Sequence, residues 1–157
     1  MKEKDLAWAA GFIDGEGCIR IIERNTKRAP FSKTYHFEIS ASQTVLKPLE
    51  KLQKLFGGTI RTHVFPGRGK NKARVPCYLW SSSTANEAIK TIELLLPYFE
   101  VKEEEGRIML KYFKYFDKNR ITKKLTEEIH LGRQEAHRLL KNFKDVKYNR
   151  LKIKEEI

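Results

Sequence analysis

The chain has 157 residues, with 32 Lys or Arg against 20 Asp or Glu and a formal net charge of +12, a length suited to one domain around one core. It has no apolar run long enough to span a membrane and no cleavable signal, so a soluble intracellular protein is expected. Cys18 and Cys77 fit no zinc spacing, and no motif for copper or a nucleotide cofactor is present.

Lys2–Asp5 lead into a helix with Asp5 as its expected N-cap and Trp8 as an apolar anchor. Ala7, Gly11 and Gly15 recur every four residues, which leaves one ridge nearly bare and lets another backbone come close. Gly17 is expected to end the helix, with Asp14 and Glu16 at its carboxyl end, where the macrodipole disfavours negative charge. If the ridge (Ala7, Trp8, Gly11, Gly15) packs on its own copy, two Glu16 side chains meet near the two-fold axis and call for a cation. Hard oxygen ligands suit Mg²⁺, with Mn²⁺ or Ca²⁺ as possible occupants. The competing reading makes Asp14 and Glu16 simple turn or cap residues.

Alternation predicts a strand over 18–24, with Ile19 and Ile21 inward and Cys18, Arg20, Ile22 and Arg24 outward. Thr26, Lys27 and Arg28 belong to an exposed basic loop. A second strand over 34–40 turns Tyr35, Phe37 and Ile39 inward and Thr34, His36, Glu38 and Ser40 outward. Such mixed donors and acceptors suit base edges, and a plain solvated sheet shows the same pattern. A helix over 44–56 stops at Gly57-Gly58. The third strand, 59–65, puts Arg61 and His63 outward. A Gly-rich turn with Arg68, Lys70, Lys72 and Arg74 follows, able to track a phosphate backbone or simply to be a solvated hairpin tip. The fourth strand covers 75–81, with Tyr78 and Trp80 inward. Thr84 and Glu87 form a capping box for a helix ending before Pro97, and another helix runs over 102–116. Beyond Asp117 the chain reads as additional C-terminal helices, interrupted near Gly132, with His130 and His137 solvated.

Residues 18–82 hold thirteen Lys or Arg against Glu23, Glu38 and Glu50, a net of +10, whereas residues 83–116 hold five against six. The positive field therefore lies on the strands and their loops, the footprint of a phosphate-binding surface. The predicted fold is α+β: an αββαββα core over 1–116, with a four-stranded antiparallel sheet offered to double-stranded DNA, and a helical extension over 117–157, all in one domain.

The stretch Ala9-Ala10-Gly11-Phe12-Ile13-Asp14-Gly15-Glu16-Gly17, continued by Cys18-Ile19-Arg20-Ile21, resembles the signature of the LAGLIDADG homing endonucleases. The resemblance extends to about residue 116, and with one signature it implies a homodimer on a long near-palindromic target. It implies that Glu16 binds the catalytic metal with help from the Gly15 carbonyl. Lys102, which follows the Pro97-Tyr98 pair, would reach the scissile phosphate, and pairing with its Glu neighbours is the alternative. Where the family places a Gln or Lys at the end of the second strand this chain has Ala41, so Gln43 is the remaining candidate. The family is commonly encoded within introns or inteins, and this chain lacks splicing motifs. A nucleic-acid-binding protein of the same fold without cleavage, such as an intron maturase or a DNA-binding regulator, is the alternative, and a structural dimer with an unspecific basic sheet is a third.

Overall fold

A computed structural model describes residues 1–27, 31–64, 76–117 and 125–155, with side chains from 63, 64 and 148–155 outside the description. Helix α1 (Glu3–Glu16) passes at Gly17 straight into strand β1 (Gly17–Asn25). The order continues β2 (Lys33–Gln43), α2 (Leu46–Phe56), β3 (Thr59–Val64), β4 (Pro76–Ser81), α3 (Ala85–Leu95), α4 (Glu103–Tyr112) and α5 (Glu127–Glu155), with 3₁₀ turns at Leu96–Tyr98 and Phe113–Tyr115. The α+β expectation holds, with one four-stranded antiparallel sheet in the order β1-β2-β4-β3.

Alternation in the strands makes one sheet face apolar. Ile19, Ile21, Tyr35, Phe37, Ile39 and Trp80 are buried with Ile13, Leu49, Leu52, Ile92 and Leu95 from the helices. The pairs Cys18↔Ser40, Arg20↔Glu38 and Ile22↔His36 run along the opposite face. Strand β4 pairs with β2 only through Ser40–Gln43, so the two part beyond it. Gly58 takes φ +84°, which glycine adopts freely. A Cβ there would also come within 2.5 Å of the Ser81 carbonyl.

Several expectations change. Asp5 is not the cap of α1: the helix starts at Glu3 after Lys2, and Asp5, in its first turn, pairs with Lys51 at 3.1 Å. Helix α4 begins one residue later than predicted and tightens to 3₁₀ after Tyr112. Instead of broken C-terminal helices there is one continuous α5 through Gly132. That glycine serves close approach, since a Cβ would lie 2.5 Å from the Tyr115 ring. His130 and His137 are not solvated. His130 stacks on Phe31 with centroids 4.1 Å apart, and half-buried His137 lies against Tyr35 and Glu23. No described helix is long and apolar enough to cross a membrane.

Candidate nuclease site at the foot of the sheet

The last turn of α1 holds two acids in opposite roles. The Asp14 carboxylate accepts the backbone N–H groups of Glu100 (2.8 Å), Val101 (3.2 Å) and Lys102 (2.9 Å). It thus ties down the turn that leads into α4, a role different from a turn or cap residue before Gly17. The Lys102 ammonium in turn donates to the Asp14 carbonyl at 2.6 Å. The result is a latch between the two helices that holds Lys102 only 6% exposed. Burial pushes the Lys102 pKa below the usual lysine range, against the opposing pull of Asp14 and Glu105. Replacing Asp14 with Ala is expected to lower stability by about 2–3 kcal/mol, the scale of hydrogen bonds to a charged group, as read by urea denaturation.

Glu16, two residues on, is exposed and has no hydrogen bond or ion pair among the described residues. Because β1 starts at once, its side chain stands at the end of the sheet. It helps line a cleft of about 310 Å³ with Cys18, Arg20, Ser40, Ser42, Cys77 and Leu79. The last four carbonyls of a helix lack helical donors. Gly17 takes that of Ile13 and Lys102 that of Asp14; the Gly15 carbonyl belongs to the same four. Among the described residues no three His, Cys, Asp or Glu side chains converge. One carboxylate and one carbonyl are hard oxygen donors, of the kind that suits a hard divalent cation.

The other predicted residues fall into groups. Gln43 does not line the cleft, and its side-chain oxygen accepts from the Thr44 backbone N–H (2.8 Å) and hydroxyl (3.2 Å). Ser40 does face the cleft but is buried, 3% exposed, because β2 is an inner strand and Cys18 and Ser81 flank it. Arg20 is exposed and held by Glu38 at 2.7 Å. Arg24, Lys27 and Arg61 are exposed, while Ile22, Thr26 and Thr34 are half-buried. Where β2 and β4 part, a groove of about 500 Å³ brings together Arg24, His36, Glu38, Thr59 and Arg61. Arg28, Arg68, Lys70, Lys72 and Arg74 and the His63 side chain lie outside the described residues. Ser42, Cys77 and Leu79 are further walls of the cleft; strand register, Ser42 opposite Leu79, is the signal for two of them, and Cys77 lies two residues before Leu79 on the same face of β4.

Ala7, Gly11 and Gly15 form an exposed stripe on α1, while Ala9, Ala10 and Ile13 on its other side are fully buried. A Cβ at Gly11 or Gly15 would meet nothing within 4 Å among the described residues. Half-buried Trp8 stacks on Phe12, with the Lys51 ammonium 4.1 Å from its ring centroid.

The four-stranded antiparallel sheet with its helices is a fold shared with solved homing endonucleases. The chain belongs to the LAGLIDADG endonuclease family, whose pattern matches residues 9–127. It is 29% identical over 112 residues to DNA endonuclease I-CvuI of Chlorella vulgaris, covering 69% of this chain and 63% of that protein. The crystal structure of I-CvuI in complex with the I-CreI target superposes with a TM-score of 0.64 at 22% identity, over 88% of this chain and 82% of the other. The archaeal intron-encoded homing endonuclease I-Vdi141I complexed with DNA gives 0.70 at 16% identity, over 90% and 85%.

Proposed function

We propose that the chain is a site-specific endonuclease that hydrolyses one phosphodiester on each strand of a long near-palindromic DNA duplex, acting as a homodimer. The observation that carries the reading is Glu16: an exposed carboxylate, unpaired among the described residues, at the foot of the sheet and at the end of the Ala7/Gly11/Gly15 stripe. Glycine in a helix costs about 0.8–1.0 kcal/mol relative to Ala, and nothing among the described residues fills the space at Gly11 and Gly15. A second copy of α1 packed on that stripe supplies the missing reason, and brings the two Glu16 side chains together.

Glu16 and the Gly15 carbonyl would hold Mg²⁺, with Mn²⁺ or Ca²⁺ able to take the same place. Such an ion supplies Lewis-acid stabilisation and a nucleophilic water when bound. Lys102, buried and bonded to the Asp14 carbonyl two residues before Glu16, is not a wall of the Glu16 cleft; in this reading it would offer a cation to the charge that develops on the phosphate. Arg20, Arg24, Lys27 and Arg61 meet the backbone, and Thr34, His36 and Glu38 face base edges. The decisive experiment is selection of cut sites from a random duplex library with Mg²⁺ present. Recovery of one near-palindromic site supports the reading, and no cutting with Mg²⁺ or Mn²⁺ overturns it. The reading as a binder without cleavage draws on Gln43 and buried Lys102, which both stand outside the Glu16 cleft, and it predicts no metal-dependent nicking at all.

Because burial lowers the Lys102 pKa, its cation is present below that depressed value and lost above it. Cleavage is therefore expected to fall on the alkaline side earlier than an ordinary lysine would dictate. Lys102→Arg, which cannot deprotonate, moves that limb upward in a single-turnover pH profile.

A further inference from the structure

Helix α5 runs alongside the outer edge of β1 in the opposite direction. His137 lies 3.8 Å from Glu23 near one end of the strand. Towards the other end the Lys144 ammonium donates to the Ile19 carbonyl and lies 3.5 Å from the Cys18 sulfur. The helix is charged unevenly along this path. Residues 127–137 hold Arg133 against Glu127, Glu128 and Glu135, a net of −2. Residues 138–154 hold seven Lys or Arg against Asp145, a net of +6. The basic part begins beside His137, at the far end of the strand, and runs towards the cleft that contains Glu16, which Lys144 approaches at Cys18.

A groove of about 190 Å³ lies between the strand and the helix, with Arg20, Lys141, Lys144 and Asp145 among its walls. Arg20 also lines the Glu16 cleft, so the two spaces share a wall. Covering an open strand edge accounts for Lys144, which meets a carbonyl and a thiol but no carboxylate. It does not account for Lys141, exposed and without an ion pair among the described residues.

We propose that this groove seats a backbone phosphate of the bound duplex beside the position of cutting, with Lys141 and Arg20 as its direct partners and Lys144 behind them. The inference rests on the DNA-cutting reading above, and it extends the DNA footprint from the sheet onto α5. Duplex DNA is favoured over a free anion because Arg20 makes the groove continuous with the sheet face.

The test is a salt titration of binding to a labelled random-sequence duplex, in EDTA, for the full chain and its Lys141→Gln and Lys141→Arg variants. Each phosphate contact contributes about 0.9 to the slope of log K against log salt concentration. Lys141→Gln is expected to reduce the slope by about that amount, equally on unrelated sequences, and Lys141→Arg to preserve it. On the duplex recovered by cleavage selection, a methylphosphonate at the contacted position abolishes the difference between wild type and Lys141→Gln. An unchanged slope in Lys141→Gln overturns the inference while leaving the endonuclease reading intact. Failure of the wild-type chain to bind any duplex overturns both.

Discussion

Glu16→Gln is expected to reduce DNA cutting by at least about 10²–10³-fold, the scale on which a single preorganised transition-state stabiliser acts, while duplex binding is retained or slightly tightened. The sign of the binding change follows from position. Glu16 is exposed at the end of a basic face, and taking away its negative charge removes repulsion from phosphate. The amide keeps the shape and forfeits the charge that draws a divalent ion. Stability should barely move, because the carboxylate has no partner among the described residues to lose. Nicking assays with Mg²⁺ and Mn²⁺, paired with gel-shift titrations, separate these effects. A variant that still cuts removes Glu16 from the mechanism, and one that loses cutting and binding together assigns it a structural role.

The strand periodicities, the helix stripes and the ordering of elements could be read from the residues, because each reports a local pattern that burial enforces. Tyr35, Phe37 and Ile39 point inward as alternation demands, and Thr84 accepts from the Glu87 N–H as the capping box predicts. The Glu87 carboxylate reaches one residue further back, to the Ser83 N–H. What local pattern could not show were contacts between residues far apart in the chain. Asp14 and Glu16 look alike in sequence, and only the turn leading into α4, more than eighty positions away, tells the acid bonded to it from the one without a partner among the described residues. Ser40 sits at an outward position by alternation, yet its neighbours on both sides bury it. Gly132 was misread as a break because its demand comes from the Tyr115 ring.

The same blindness hid Glu105, which appears in the sequence as the third of three acids welcomed by a helix dipole. In the fold Glu103 and Glu104 meet Arg107 at the surface, whereas Glu105 is 1% exposed and bonded to Lys147 of α5 at 3.1 and 3.3 Å. Lys147 also donates to the Val101 carbonyl, next to Lys102. One side chain therefore ties α5 to the turn that carries the latch with Asp14. Lys147→Met is expected to destabilise the chain by about 3–5 kcal/mol, because it leaves a buried carboxylate uncompensated. Removing both charges, Glu105→Gln with Lys147→Met, should recover most of that loss, since most of the cost comes from the orphaned acid and little from the missing attraction. Urea denaturation of the two single variants and the double variant forms the cycle. Strictly additive losses would mean that the pair is not coupled and that α5 is held to α4 by apolar contact alone. A recovered double variant that still cuts slowly would show that the Lys147 bond to Val101 positions Lys102 independently of stability.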